Sequence, residues 1–290
     1  MSRAIFQTAG ATSTPIIAKP IQWGQTAIGA AAILILFSVA LVVGRSQSIQ
    51  WPQIGRYLFH PTILRGVLLT LELTAAAMLF GIAVGCAVAI MAISRNLVLK
   101  VLSAAFVWLF RGVPLIVQIF FWFNIALFIP QLRFGTATIS INEIITPSLA
   151  GFLALALHEA ANMAEIIRGG LLSVDQGQQD AGRSLGFTGS QTLRVIVLPQ
   201  AARVIIPPTG NQAIGMLKAS AIVSVIGMED LLTQAQHIYA QNFLVIELLI
   251  VASIWYLAVT TLASLGQYFI ERRLVRHARS SNKSVERSGE

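Results

Sequence analysis

The chain has 290 residues, of which 56% are hydrophobic and 11% charged, whereas a soluble domain carries about 25% charged residues. A single water-soluble core does not fit this composition. The net charge of +8 at pH 7 would suggest nucleic-acid binding in a soluble protein. Here, however, the densest basic run directly follows the last apolar segment, where basic residues are attracted to the cytoplasmic leaflet. That run consists of Arg272, Arg273, Arg276, Arg279, Lys283 and Arg287.

Six segments are apolar enough and long enough to cross a bilayer as helices of about 20 residues. They are residues 26–44, 66–93, 101–129, 147–167, 204–228 and 243–269. The period-two alternation of a membrane barrel is absent, and backbone groups in lipid must be satisfied within each segment. The sequence therefore predicts an all-α integral membrane protein, a bundle of about six transmembrane helices. A cleavable leader ending near Ala40 is the alternative to an uncleaved first span.

Lys and Arg residues are unevenly distributed between alternate segments of the chain. Residues 1–25, 94–111, 168–203 and 271–290 contain 15 of the 20, whereas 45–65, 130–146 and 229–242 contain four. The positive-inside rule then predicts that both termini and the loop over 168–203 are cytoplasmic. The polar tails over 1–25 and 275–290 have the composition of disordered segments.

The loop between the fourth and fifth spans has an internal pattern of its own. Two short helices are predicted over 176–185 and 190–197, with Gly186 ending the first and Pro199 stopping the second. A cytoplasmic helical hairpin indicates a docking site for another protein. A helix lying on the membrane surface is the alternative.

The same loop resembles the cytoplasmic signature of ABC importer permeases, E-A-A-x3-G-x9-I-x-L-P. Asp180-Ala181-Gly182, Gly186 and Ile196-Val197-Leu198-Pro199 match every spacing of that signature, with Asp180 in place of Glu and Gly182 in place of the second Ala. Other segments resemble the polar amino-acid uptake branch of this family. They are Phe110-Arg111-Gly112-Val113-Pro114-Leu115-Ile116-Val117-Gln118, Ala164-Glu165-Ile166-Ile167-Arg168-Gly169-Gly170, Gly177-Gln178, Leu198-Pro199-Gln200-Ala201, Pro207-Pro208 and Leu217-Lys218-Ala219-Ser220.

This resemblance implies the permease subunit of an ATP-driven importer for a polar amino acid, in the bacterial cytoplasmic (inner) membrane. A five-helix family core over 64–271, with a coupling loop over 172–200, would follow the N-terminal span. The implied docking residues for a cytoplasmic ABC ATPase dimer are Asp180, Ala181, Gly182, Gly186 and Pro199. The other implied partners are a second permease subunit, identical or homologous, a periplasmic or surface substrate-binding protein, and membrane lipid. Nucleic acid is not expected as a partner.

No nucleotide or metal site is expected on the chain itself. The glycines at 210 and 215 are followed by Met216, where a phosphate-binding loop needs Lys. His158 and Glu159 begin like a zinc-protease motif, but Asn162 stands where the second His is needed. ATP and magnesium would therefore be bound by the partner ATPase, and the chain is not expected to be an enzyme.

Polar residues within the spans are candidates for the substrate pathway, because such residues usually face a bundle interior or an aqueous cavity. His158, Asn162 and Glu165 share one face of the fourth span at helical spacing, as do Asn211, Gly215 and Lys218 in the fifth. The candidate pathway residues are Glu72, Asn162, Glu165, Asn211 and Lys218. Structural pairing between these groups is the alternative. Gly81 and Gly85 form a G-x-x-x-G step that predicts close helix packing.

An ion-coupled secondary amino-acid transporter is the alternative function, because it would also place carboxylates and a lysine inside the bundle. Such a transporter would not need the loop signature. A membrane enzyme would need catalytic side chains converging near one membrane face, and a channel would need a selectivity filter. The sequence contains neither pattern.

Overall fold

The computed structural model describes the backbone of residues 23–134 and 137–288. The chain divides into two units between Ile49 and Gln50, and each is described by itself. The first contains α1, Trp23–Gly44, whose apolar segment Ala27–Val39 lies within the predicted first span. Residues 1–22 of the predicted N-terminal tail are outside the described residues.

The second unit is almost entirely helical. Its helices are α2 (Trp51–Leu58), α3 (Pro61–Ile93), α4 (Leu97–Gly112), α5 (Leu115–Phe123), α6 (Ile141–Ile144), α7 (Pro147–Leu172), α8 (Gln176–Ser184), α9 (Gly189–Thr192), α10 (Leu198–Ala219), α11 (Leu231–Asn242) and α12 (Val245–Ser288). Two short 3₁₀ segments, Ile125–Leu127 and Ser220–Ile226, and a π-turn over Leu193–Val197 lie between them. An antiparallel hairpin of β1 (Gln131–Phe134) and β2 (Ala137–Ser140), with Gln131 opposite Ser140, occupies the predicted 130–146 loop.

Among the described residues, fewer helices qualify as spans by length and composition than the six predicted. Pro61–Ile93, Pro147–Leu172 and Val245–Arg273 qualify singly, and α4 with α5 makes a fourth if that pair, bent by 100°, is one span. Helix α10 has 22 residues but contains three prolines and several polar side chains, so it falls short on composition. Helix α12 continues to Ser288, so the backbone over 275–288 is helical where composition predicted disorder.

Short polar side chains fix where several of these helices begin. Asn96 Oδ1 accepts a hydrogen bond from Val98 N at 2.9 Å, and Thr146 Oγ1 accepts one from Leu149 N at 3.2 Å, directly before Pro147 at the start of α7. Asp230 Oδ1 accepts from Thr233 N at 2.8 Å. Each cap satisfies an N–H group that the first helical turn leaves without a partner.

Helices α3 and α7 make the most extensive helix pair of the second unit. A Cβ atom on Gly81 would lie 2.8 Å from Glu159 Cγ, and one on Gly85 would lie 2.7 Å from Met163 Cβ. The G-x-x-x-G step therefore brings α3 against α7 within one chain. The close helix packing that this step predicts is therefore made between two helices of the same chain.

Candidate functional site

Helices α8 and α9 form the helical hairpin predicted between the fourth and fifth spans. Asp175 Oδ1 caps α8 by accepting from Gly177 N at 2.7 Å, and Thr188 with Gln191 forms a capping box at the start of α9. Gly186 turns the chain between them with φ of +83°, in the left-handed region that favours glycine. Gly186 thus ends the first helix as the sequence predicts.

Gly182 has a different role from the one that the signature implied. It is buried inside the hairpin, where a Cβ atom would lie 2.7 Å from Ile196 Cδ1 and 3.3 Å from Thr192 Cγ2. The missing side chain lets α8 pack onto the segment that follows α9. Gly182 therefore determines the shape of the hairpin and does not face a partner directly.

The sequence predicts that Pro199 stops the second helix, and this prediction is wrong. Pro199 lies in the first turn of α10, and a π-turn over Leu193–Val197 joins α9 to α10 without an interruption. Pro199 has no N–H to donate, which is tolerated at a helix start. The Leu198 N–H reaches back five residues to Leu193 O, the π pattern that absorbs the extra residue.

The exposed face of α8 carries the remaining docking candidates. Asp180 and Ala181 are exposed, and Asp180 makes a surface ion pair with Arg183 at 3.6 Å. Leu185 is 76% exposed beside them. An exposed leucine flanked by polar groups is a typical centre for a protein contact, and sequence reasoning missed it because only the signature letters were considered.

A polar clamp, defined here as Gln118 and His158, holds the break between α4 and α5. Pro114 lacks the N–H that would bond to Phe110 O one turn earlier, so this carbonyl loses its helical partner. Gln118 Nε2 donates to Phe110 O at 2.9 Å and to Val113 O at 2.8 Å, and His158 Nδ1 lies 2.9 Å from Phe110 O. Since a carbonyl only accepts, Nδ1 carries the proton in this contact.

The predicted polar face of α7 is only partly assembled as a site. His158 belongs to the clamp, and Glu165 is bound by Arg168 through two hydrogen bonds of 3.1 and 2.9 Å. The side chain of Asn162, which is half-buried, makes no hydrogen bond to a described residue. Glu165 is therefore paired on its own helix, as the structural alternative allowed.

The other pathway candidates lie apart in this arrangement. Glu72 and Lys218 are exposed, and no hydrogen bond or ion pair in the described part of the chain joins either of them to Glu165. Asn211 Oδ1 accepts from Gln267 Nε2 at 3.1 Å, a contact between α10 and α12. The carboxylate and lysine that sequence reasoning grouped do not form one cluster within a single chain.

Glu159 is a buried carboxyl that sequence reasoning did not select as a candidate. It is 2% exposed, and Gln212 Nε2 lies 3.4 Å from its Oε2, while Oε1 has no hydrogen-bond partner among the described residues. The helical spacing selects its neighbour His158, which shares one helix face with Asn162 and Glu165. Glu159 is one residue further along α7, so its side chain is turned by about 100° from that face and meets α3 instead. The signal available in the sequence was Gly81, which leaves the space that Glu159 fills.

An apolar groove of about 880 Å³ lies between α3, α7, α10 and α12. Isoleucine side chains of these four helices provide much of its wall: Ile82, Ile90, Ile167, Ile205, Ile206 and Ile270. A polar substrate would lose its hydrogen bonds to water in such surroundings and could regain few, because Thr209, Gln267 and Glu271 are the hydrogen-bonding side chains among the lining residues. The groove is therefore not a suitable site for a polar solute.

Comparison with known families and proteins gives a consistent result. Residues 77–276 match the family model of the binding-protein-dependent transport system inner membrane component. The chain is 35% identical over 261 residues to an arginine transport system permease protein of Corynebacterium glutamicum, covering 89% of this chain and 83% of that protein. It is 34% identical over 205 residues to a probable glutamine ABC transporter permease protein of Bacillus subtilis, covering 71% and 89%.

One solved structure of similar sequence has the same fold. It is a crystal structure of an amino acid ABC transporter with histidines, whose matched chain is 34% identical, with a TM-score of 0.69. The match covers 78% of this chain and 99% of that one.

Proposed function

Because the chain belongs to the family of binding-protein-dependent transport system inner membrane components, we propose that it is the permease subunit through which an ATP-driven importer moves a polar amino acid. The observation that carries this proposal is the α8–α9 hairpin, which has the family's spacing and an exposed face. The match to an arginine permease over 89% of the chain supports an amino acid as the substrate.

The proposal assigns the chemistry of ATP to other subunits. Two cytoplasmic ATPase subunits bind ATP and magnesium, and each docks on the exposed face of α8 around Asp180, Ala181 and Leu185. A second permease, identical or homologous, completes the pathway, and a substrate-binding protein delivers the amino acid from outside. Both termini and the hairpin then lie on the cytoplasmic side, as the distribution of Lys and Arg favours.

The ion-coupled alternative lacks support from the geometry. It was based on Glu72, Glu165 and Lys218 acting together, whereas Glu165 is bound by Arg168 and the other two are exposed without a described partner. The matched family and the two amino-acid permease relatives also favour an ATP-driven system.

The docking face can be tested with Leu185→Ser. Because this side chain is 76% exposed, its loss should leave the fold intact while removing the apolar centre of the contact. We expect at least a tenfold weaker association with the ATPase subunit in co-purification. Leu127→Ser, at a leucine that is 79% exposed outside the hairpin, is the matched control and should co-purify normally. Equal co-purification of both variants would contradict docking at α8.

Uptake into proteoliposomes separates the two energy sources. The permease, its ATPase and its binding protein are reconstituted together, and uptake of labelled arginine, glutamine and histidine is measured. We expect uptake that requires internal ATP and continues in the presence of an uncoupler. Uptake that persists without ATP and collapses with the uncoupler would establish the ion-coupled alternative instead.

A further inference from the structure

Arg111 lies beside the middle of a membrane-spanning helix. It is the last residue but one of α4 and directly follows Phe110, whose carbonyl oxygen is 2.9 Å from His158 Nδ1. His158 is about 16 Å from the start of α7 and about 21 Å from its end at 1.5 Å per residue. Because the hydrocarbon core of a bilayer is about 30 Å thick, Arg111 is within membrane depth and not in the cytoplasmic loop where the charge count placed it.

The guanidinium of Arg111 is not neutralised by a bonded carboxylate. It is exposed and makes no hydrogen bond or ion pair with a residue that the structure describes. Its charge acts on both His158 and Glu165, but Glu165 already binds Arg168 through two hydrogen bonds. The surroundings therefore retain an excess positive charge, which is costly at membrane depth unless an anion or water reaches it.

The clamp fixes the backbone that carries Arg111. Two bonds from Gln118 and one from His158 hold Phe110 and Val113, the residues on either side of Arg111 and Gly112. Apart from its chain neighbours and its own helix backbone, Gly112 has no heavy atom of the described residues within 4 Å of where its Cβ would lie, so the space beside Arg111 is open. A fixed backbone next to open space presents the side chain to a ligand without the further cost of ordering the backbone.

From this geometry we infer that Arg111 is an oxyanion-binding residue of the pathway and takes the α-carboxylate of the amino acid in transit. A guanidinium binds a carboxylate through two parallel hydrogen bonds, which suits a group common to all amino-acid substrates. Gln118 and His158 act as positioning residues behind it. The inference rests on the proposed function, because it requires that an amino acid is the transported solute.

The test measures binding to the permease–ATPase complex in nanodiscs without the binding protein. The probes are labelled L-arginine, L-glutamine and L-histidine, competed with the same amino acids and with their α-amides, which lack the carboxylate charge. The variants are Arg111→Gln and Arg111→Lys. Arg95→Gln, in the exposed turn between α3 and α4, is the matched control. Each is measured in phosphatidylcholine alone and with phosphatidylglycerol added.

We expect wild-type protein to prefer at least one amino acid over its amide by tenfold or more. Arg111→Gln should abolish that preference, because it should weaken binding of the amino acid and leave binding of the amide unchanged. Arg111→Lys should retain part of the preference, and Arg95→Gln should retain all of it. Equal binding of acid and amide to wild-type protein, no binding of any probe, or unchanged binding to Arg111→Gln would overturn the inference. A defect confined to phosphatidylglycerol nanodiscs would also overturn it, because Arg111 would then hold a lipid phosphate.

Failure of this inference can be distinguished from failure of the proposed function. The proposed ATPase contact lies at α8 and does not involve Arg111, so the ATPase should still co-purify with Arg111→Gln. Co-purification together with unchanged amino-acid binding refutes the role of Arg111 only. Its absence in wild-type protein refutes the proposed function, and this inference with it.

Discussion

The side chain of Glu159 occupies the space that Gly81 leaves on α3. Its Cβ and Cγ atoms lie where a side chain at position 81 would begin, 2.9 and 2.8 Å from the ideal Cβ position. Its carboxyl group reaches Gln212 on α10. One glycine thus decides how closely α3 approaches α7 and where a buried carboxyl meets a third helix.

Gly81→Ala should therefore destabilise the protein. The new methyl group would force Glu159 or the α3 backbone to move, and overpacking of this kind typically costs about 1–3 kcal/mol. Gly266→Ala is the matched control, because no heavy atom lies within 4 Å of a Cβ at this position of α12. Thermal unfolding in detergent, followed by tryptophan fluorescence, should show a lower midpoint for Gly81→Ala only. Equal midpoints would mean that the α3–α7 contact is looser than described.

At the scale of elements, the break between α4 and α5 is held by side chains from other parts of the chain. Gln118 belongs to α5 and His158 to α7, and both bond to the carbonyl that Pro114 leaves without a donor. The bend of 100° is therefore held by hydrogen bonds from these two side chains. Those bonds depend on the packing of α5 against α7.

Gln118→Leu tests these hydrogen bonds. Two part-buried carbonyl groups would each lose the Gln118 donor. Phe110 O keeps His158, whereas Val113 O loses its side-chain donor, and an acceptor deprived of its partner away from water costs about 1–3 kcal/mol. We expect a clear loss of thermal stability in detergent. The control is Asn124→Leu, which removes a similar amide-to-carbonyl bond, Asn124 Nδ2 to Phe120 O at 2.8 Å, in an exposed position where water replaces it. A loss as large for Asn124→Leu would show that burial of the clamp contributes nothing.

The sequence predicts the elements better than it predicts the contacts between them. Apolar content and the loop signature identified the main helices and the turn at Gly186, because these depend on local composition. Gln118 and His158 are 40 residues apart, and no periodicity links them. The signature implies that Gly182 is a docking residue for the ATPase, because it describes which letters a family shares. The contact of Gly182 with Ile196 is visible only in the folded hairpin.

At the scale of the whole molecule, the hairpin of α8 and α9 and the hairpin of β1 and β2 lie beyond opposite ends of α7. A helix of 26 residues separates them, about 39 Å at 1.5 Å per residue, which is sufficient to cross a bilayer. The two hairpins should therefore face opposite sides of the membrane.

Cysteine labelling tests this orientation directly. Cys86 is the one cysteine in the sequence, so Cys86→Ser gives a cysteine-free background. Gln178→Cys in α8 should react with a membrane-impermeant maleimide only in inverted vesicles, and Thr138→Cys in β2 only in right-side-out vesicles. The opposite pattern would invert the proposed topology, and the cysteine-free background itself should remain unlabelled.

The uninterrupted joint between α9 and α10 has a mechanical consequence. No coil separates them, because the π-turn over Leu193–Val197 continues directly into Leu198–Ala219. A continuous helix resists bending and twisting far more than a loop does, so a torque applied to α9 rotates the first turns of α10 as well. The hairpin and the base of this helix are therefore joined by continuous helical backbone. Pro199 removes one backbone hydrogen bond near its start, and Pro207 and Pro208 remove others further along, where bending is easier.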